Sequence, residues 1–197
     1  MYVPSHFAEN DPEVLHSFIE KNGFALLISP REGEPFATHL PILLHRKEKV
    51  LIGHMARANP HWQGAEGQTV LVVFSGPHAY ISPSWYEAEN VVPTWNYVAV
   101  HVYGTFHAIH DPTELTEILR ETVATFEESD SDWKFEPESN FTQKLVQQIV
   151  GFRIYIARIE GKWKLNQNHP LERRQKVVYA LHRKGDDDSR EIAEMMG

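Results

Sequence analysis

The chain has 197 residues, of which 42% are hydrophobic and 23% are charged, so it is large enough to bury a core without disulfides or structural metals. It contains no cysteine, which excludes disulfide scaffolds, thiolate metal sites and cysteine nucleophiles. The 19 basic and 27 acidic residues give a net charge of −8, which disfavours a global electrostatic surface for nucleic acid or for an anionic membrane.

The first predicted element is a helix between Pro12 and Gly23. Asn10 and Asp11 are capping residues, proline suits the first helical turn, and glycine ends the helix. Short β-like runs separated by turn residues follow at 24–29, 36–44, 49–55, 69–75, 78–82 and 97–109. This spacing is typical of a barrel. The alternation in the last run predicts that both of its faces are at least half buried, which suits a central strand.

The second half of the chain changes to helical spacing. A capped start at Asp111 precedes apolar residues that recur through Phe126, and a second helix is predicted around 141–149. One further strand is predicted at 151–159, and two helices separated by 184–186 close the chain. This order of elements predicts an α+β fold rather than a doubly wound parallel sheet.

The N-terminus lacks a positively charged start followed by an apolar segment, and no apolar run is long enough to cross a bilayer. We therefore expect a soluble, cytoplasmic protein with no membrane partner.

Several common site motifs are absent from the sequence. There is no glycine-rich dinucleotide or triphosphate loop, no Gly-x-Ser-x-Gly and no His-Glu-x-x-His, so Rossmann, P-loop, hydrolase and zincin interpretations have no starting point. The 12 histidines raise the question of a metal site. His101 and His107 lie on one predicted strand, about 20 Å apart at 3.3 Å per residue, so they cannot share an ion, and we expect no metal site.

Four polar and aromatic segments at strand ends are the candidate site: 37–41, 53–60, 81–86 and 93–97. Arg57 and Asn59 supply donors, and Asn59-Pro60 is predicted to begin a short helix whose first N–H groups favour a phosphate. Each segment also has a plain structural interpretation, because Trp85 and Trp95 fit a core or a dimer interface and Arg57 fits a surface ion pair. Together, the four segments favour a site.

These segments, with the residues next to them and a fifth segment at 164–168, carry a resemblance to a known family. They read Thr38-His39-Leu40-Pro41, Gly-His-Met-Ala-Arg-Ala-Asn-Pro at 53–60, Gly-Pro-His-Ala-Tyr-Ile-Ser-Pro-Ser-Trp-Tyr at 76–86, Val-Pro-Thr-Trp-Asn-Tyr at 92–97 and Lys-Leu-Asn-Gln-Asn at 164–168. From residue 1 to about residue 181 the chain closely resembles the PaiB family of FMN-binding negative transcriptional regulators.

This resemblance implies a six- to seven-stranded antiparallel split β-barrel with peripheral helices and a C-terminal helical pair. The expected organisation is an FMN-binding split-barrel domain at 1–168 and a helical extension at 169–197 that packs on the barrel. The resemblance further implies a homodimer with flavin at the subunit interface. In Bacillus relatives it implies a link to repression of extracellular protease synthesis and to sporulation.

The resemblance also assigns site residues by position. Thr38, His39, Leu40 and Pro41 resemble the strand that lines the isoalloxazine ring, and His54, Arg57 and Asn59 resemble the strand end that holds the FMN phosphate. Three further family-motif residues, Trp85, Trp95 and Asn96, are expected near the flavin or the partner subunit. Lys164 and Gln167 lie in a C-terminal motif that resembles the late active-site segment of split-barrel proteins. One residue departs from the pattern, because Asn166 stands where the family pattern suggests serine.

A regulator need not bind DNA directly. The basic residues at 173–176 and 183–184 lie on a predicted helix that is followed by a turn at Gly185 and a second helix, loosely a helix-turn-helix outline. The acidic run at 186–188 and the net charge of −8 disfavour strong direct DNA binding. The alternative is a flavin-dependent reductase or oxidase, or a haem-handling enzyme, in which His39 or His101 serves as proton donor or iron ligand. No catalytic residue is assigned from the sequence.

Overall fold

The computed structural model describes residues 1–128 and 130–197. Its strands are β1 (Ala8–Glu9), β2 (Phe24–Arg31), β3 (Glu34–His45), β4 (Val50–Ala56), β5 (Thr69–Ile81), β6 (Thr94–Ile109) and β7 (Ile149–Lys164). Its α-helices are α1 (Pro12–Lys21), α2 (His61–Ala65), α3 (Pro112–Phe126), α4 (Asn140–Val146), α5 (Leu171–Lys184) and α6 (Asp187–Met196). Two short 3-10 helices lie at Ser5–Phe7 and Pro83–Tyr86.

The strands form one sheet in the order β1-β7-β4-β3-β2-β5-β6, and β6, at one end of this order, also pairs with β7, the strand next to the other end. Neighbouring strands with a defined register run antiparallel, for example Leu26 opposite His39 and Ile42 opposite Gly53. These pairings confirm the predicted α+β fold with an antiparallel barrel.

One predicted turn between two strands was wrong. The runs at 69–75 and 78–82 were separated by Gly76-Pro77, but they form the single strand β5. Gly76 serves a close approach here rather than a turn, because a Cβ at this position would lie 2.7 Å from ring atoms of Phe18. Sequence alone does not distinguish these two uses of glycine.

The chain divides into two compact units. The first contains residues 1–18, 75–101 and 160–197, and the second contains residues 19–74 and 102–159. Strands β5, β6 and β7 each contribute residues to both units. The sequence-based boundary between residues 168 and 169 stays a prediction.

The second unit has an apolar interior and a second apolar cluster beneath its helices. Alternation along the strands buries one face, whose largest fully buried side chains include Leu27, Ile42, Leu51, Phe74, Phe106, Phe152 and Ile154. Val50 and Ile52 of β4 pack instead with Leu115 and Ile118 of α3. Helix α3 begins where Asp111 accepts hydrogen bonds from the N–H groups of Thr113 and Glu114, both at 3.0 Å.

The first unit contains the predicted C-terminal helical pair. Helix α5 ends at Gly185, whose φ of 77° allows the left-handed turn into α6. Asp186 then caps α6 by accepting a hydrogen bond from the N–H of Ser189 at 3.0 Å. Val177, Leu181 and Ile192 are fully buried, so the apolar faces of both helices lie in the core. Across the described residues, none of the helices has the length and apolar character that crossing a membrane demands.

Candidate functional site

A hydrogen-bonded network around His61 connects the β2, β3 and α2 regions of the second unit. The His61 Nδ1 lies 2.7 Å from the Thr38 hydroxyl, and its Nε2 lies 2.9 Å from the Ser29 hydroxyl. The His61 side chain is fully buried. The pKa of His61 is lowered from 6.5 to about 4, mainly by burial and to a smaller extent by the positive charge of Arg31. The imidazole is therefore neutral at pH 7, with one donor and one acceptor nitrogen for the two hydroxyls.

Asn59 extends this network toward the surface. Its Nδ2 donates to the Thr38 hydroxyl at 3.3 Å, and its Oδ1 accepts the His61 backbone N–H at 3.0 Å. The predicted short helix after Asn59-Pro60 is present as the five-residue α2. The N–H of His61, at its first position, already has Asn59 as its partner, so that donor is not available to a phosphate.

Alternation along β3 divides the four residues predicted to line the isoalloxazine ring. Thr38 and Leu40 point to the buried face, where Thr38 contacts His61 and Leu40 is 7% exposed. His39 lies on the opposite, exposed face and stacks with Phe24 at a ring-centroid distance of 6.1 Å, and Pro41 is half-buried on that face. Phe24 is itself 68% exposed. A flat ligand on this face would meet His39 and Pro41 but not Leu40.

Arg57, directly after β4, is an exposed cation held in a fixed orientation. Its Nε and Nη2 donate to the carbonyl oxygens of Gln147 and Ile149, both at 2.8 Å. Over residues 1–128 and 130–197, no carboxylate pairs with this guanidinium. Its backbone carbonyl also accepts a hydrogen bond from the Trp62 indole at 3.1 Å. Within the described residues, Arg57 therefore presents an uncompensated positive charge and does not form the surface ion pair considered from the sequence.

His54 lies in a different environment from Thr38 and Asn59. It lines a mostly apolar cavity of about 950 Å³ together with residues such as Leu119, Trp133 and Phe141. Burial lowers the pKa of His54, and its buried Nδ1 has no hydrogen-bond partner among the described atoms. A neutral imidazole offers a phosphate a hydrogen bond but not a charge.

The other predicted site residues belong to the first unit. Trp85 lines a cavity of about 710 Å³ beside α5, whereas Trp95 is 52% exposed and packs near His78 and Tyr80. Asn96 is fully buried, and its Nδ2 lies 3.4 Å from the Met196 sulfur. Among the described residues, these three side chains form no hydrogen bond or ring contact with one another.

Lys164 and Gln167 occupy the end of β7 and the turn after it. The Lys164 ammonium donates to the Thr94 hydroxyl and, at 2.9 Å, to the Trp95 carbonyl oxygen. Gln167 bonds within its own turn, donating to the Trp163 carbonyl at 2.6 Å and accepting from the Leu165 N–H at 2.8 Å. Lys164 is thus joined to the Trp95 segment, and Gln167 shapes the turn.

The structure explains why asparagine stands at position 166, where the family pattern suggests serine. Its φ of 60° lies in the left-handed region, which asparagine adopts more readily than serine. Its side chain is buried and donates from Nδ2 to the Tyr86 hydroxyl at 3.0 Å. Asparagine here fixes both the turn and Tyr86.

Sequence reasoning missed His61 and Ser29, the buried members of the network. His61 follows the Asn59-Pro60 pair directly, which is the signal that could have included it. Ser29 carries no signal, because only strand pairing brings it beside α2. No group of three or more described histidine, aspartate or glutamate residues has the arrangement of a metal site.

Comparison with known proteins identifies the family. Residues 1–158 match the family model described as "Putative FMN-binding domain". The chain belongs to this family. FMN, the cofactor predicted from the sequence, is the one that the family description names.

A relative supports the narrower resemblance. The protein "Protease synthase and sporulation protein PAI 2" of Bacillus subtilis (strain 168) is 36% identical over 203 aligned residues, which cover 100% of this chain and 96% of the relative. The predicted resemblance to the PaiB family is therefore confirmed.

Solved structures show the same fold. The flavocytochrome Anf3 from Azotobacter vinelandii matches with a TM-score of 0.66 at 19% identity, covering 82% of this chain and 72% of that one. The FAD and heme binding protein from Mycobacterium smegmatis matches with a TM-score of 0.63 at 14% identity, covering 80% and 73%. The predicted split-barrel fold is confirmed by these likenesses.

Proposed function

We propose that this protein binds FMN as a homodimer and acts as a negative transcriptional regulator linked to protease synthesis and sporulation. In this proposal the regulatory effect depends on the flavin and not on strong direct binding to DNA. Membership of the FMN-binding domain family supports the cofactor, and the name of the Bacillus subtilis relative supports the regulatory context.

The main support for the flavin site is the positive charge of Arg57. A guanidinium fixed by two carbonyl oxygens and without a carboxylate partner among the described residues is suited to an anion, because no competing ion pair must be broken. The Asn59 amide extends the donor set, because Nδ2 carries a second proton besides the one that it donates to Thr38. This donor set fits a phosphate, and we assign the FMN phosphate to Arg57 and Asn59.

The exposed face of β3 suits the flavin ring. His39 and Phe24 form an exposed stacked pair, which presents a flat aromatic surface to a ring system or to a partner subunit. Bound FMN would supply redox chemistry at its isoalloxazine ring. Beneath this face, neutral His61 holds Thr38 in place without adding a charge.

The helical pair supports an indirect regulatory route. Lys176 pairs with Glu87 and Glu172, and Lys184 pairs with Asp186, so part of the basic surface of α5 is already neutralised. Asp186 caps helix α6, and Asp187 and Asp188 lie in its first turn; these acidic side chains repel DNA phosphates.

A flavin titration tests the phosphate assignment. FMN and riboflavin differ by the phosphate, so quenching of flavin fluorescence should show that Arg57→Gln weakens FMN binding by about tenfold or more while riboflavin binding changes little. Arg120→Gln, which removes an exposed guanidinium from α3, is the matched control. Unchanged FMN affinity in Arg57→Gln, or no FMN binding by the wild type, refutes the assignment.

Three further measurements test the homodimer, the enzyme alternative and the indirect regulatory route. Light scattering with and without FMN tests the homodimer. Steady-state oxidation of NAD(P)H with added FMN tests the enzyme alternative, because turnover well above that of free flavin would favour a reductase. A binding titration with promoter DNA should give affinities near those for unrelated DNA, and sequence-specific binding at physiological salt would overturn the indirect route.

A further inference from the structure

The first unit contains a small cavity with an unusual lining. Its volume is about 320 Å³, and its polar lining includes His6, Asn90, Lys164, Asn168, His169 and Arg173. Among the described residues, no aspartate or glutamate lines it. In a chain with a net charge of −8, a cavity that collects cations and amides without a carboxylate indicates an anion as its ligand.

The positive charge of Lys164 is not balanced within this cavity. Its ammonium donates to the Thr94 hydroxyl and to the Trp95 carbonyl oxygen, both of which are neutral acceptors. An ammonium has three donors, so one remains for a ligand. The pKa of Lys164 is lowered mainly by burial and to a smaller extent by the positive charge of Lys162. An anion bound nearby would oppose both effects.

Arg173 supplies the second cation. In the part of the chain that the structure describes, its guanidinium has no hydrogen-bond or ion-pair partner, although it lies close enough to His169 that its charge adds to burial in lowering the pKa of that imidazole. Two cations that face one cavity without an acid repel each other unless an anion joins them.

One wall of the cavity is fixed by buried groups. The His169 ring stacks on Tyr86 with centroids 5.0 Å apart and planes at 24°. Tyr86 is 1% exposed, and its hydroxyl accepts the hydrogen bond from Asn166, which is 2% exposed. The wall is therefore pre-organised and does not need to form when a ligand binds.

We infer that this cavity binds a small molecule carrying a phosphate group, with Arg173 and Lys164 contacting the phosphate and the Tyr86–His169 stack packing against the rest. Several convergent donors suit the oxygens of a phosphate better than the two oxygens of a carboxylate. The cavity lies at the small end of the range for ligand pockets, which favours a small phosphomonoester. The inference goes beyond the proposed flavin site, because the described lining shares Lys164 with the residues predicted from the family resemblance but includes none of those assigned to the FMN phosphate.

The test uses inorganic phosphate as the probe and the full chain as the protein. Thermal unfolding and calorimetric titration are measured in phosphate and in chloride at equal ionic strength, for the wild type, Arg173→Gln and Lys164→Gln. Arg183→Gln, also on α5 but outside the cavity lining, is the matched control. Circular dichroism and urea midpoints without phosphate confirm that each variant folds.

We expect phosphate to bind the wild type and the control alike, and to bind Arg173→Gln at least about tenfold more weakly. In the wild type, phosphate should also move the imidazole resonances of His169 in an NMR titration. Absence of a phosphate-specific response in the wild type overturns the inference.

A response that survives in Arg173→Gln and disappears in Arg57→Gln also overturns it, because the phosphate would then occupy the proposed flavin site. Conversely, loss of FMN binding without loss of this phosphate response refutes the flavin assignment alone. The two proposals therefore fail separately.

Discussion

Replacing Asn166 by serine, the residue that the family pattern suggests, should destabilise the protein through two local effects. The first is the backbone, because a φ of 60° costs most L-residues about 1–2 kcal/mol and asparagine less. The second is the hydrogen bond from Nδ2 to the Tyr86 hydroxyl at 3.0 Å, which the shorter serine side chain cannot reach.

The expected magnitude follows from these two effects. A buried hydroxyl left without its partner costs about 1–3 kcal/mol, so the free energy of unfolding of Asn166→Ser should fall by about 2–4 kcal/mol. Asn166→Gly also loses the hydrogen bond but adopts the left-handed backbone without strain. Its loss should therefore be about 1 kcal/mol smaller than that of the serine variant.

Urea unfolding at pH 7, followed by circular dichroism and tryptophan fluorescence, measures these differences. Tyr86→Phe combined with Asn166→Gly completes a double-mutant cycle, whose coupling energy isolates the hydrogen bond. If the serine and glycine variants have the same stability, the backbone argument is wrong. If the coupling energy is near zero, the hydrogen bond does not stabilise the fold.

Three further predictions concern stability. The pKa of His61 is about 4 in the folded protein against 6.5 unfolded, so its contribution is complete above pH 6.5 and up to about 3 kcal/mol is lost as the pH falls toward 4. Urea unfolding at pH 7 and pH 4.5 should show a weaker pH dependence in His61→Gln, and equal dependences would contradict this. Gly104→Ala places a Cβ 2.4 Å from the Tyr155 carbonyl oxygen, so it should lower the free energy of unfolding by about 1–3 kcal/mol, and an unchanged urea midpoint would refute this. Asp111→Ala removes the cap of α3 and should cost about 1 kcal/mol by the same measurement, whereas Asp111→Asn should retain most of the stability, and equal losses would show that the cap does not act through its side-chain oxygen.

The predicted elements succeeded where the signal was local. The α3 start at Asp111 and the turn at Gly185 were readable because capping and left-handed backbone depend on residues adjacent in the chain. The prediction that Gly76-Pro77 ends a strand was wrong because the signal there is not local. The requirement for glycine at this position comes from the Phe18 ring, which lies in a distant part of the sequence.

The candidate site divides in the same way. The segments that contain Thr38, Arg57 and Asn59 stood out from the sequence because they place donors at strand ends. Their partners did not, since Ser29 reaches His61 through strand pairing and Gln147 reaches Arg57 across a separation of 90 residues. Whether Arg57 forms an ion pair or presents a charge depends on those partners.

By itself, the sequence determined the α+β class, the absence of cysteine chemistry and the FMN-binding family, because composition, periodicity and long motifs are properties of the chain alone. Only the tertiary structure decided that His61 is buried and neutral, that Asn166 holds Tyr86, and that Lys164 and Arg173 share a cavity whose described lining has no carboxylate. The physical reason is that desolvation and charge depend on which distant groups surround a side chain, and that information exists only once the chain is folded.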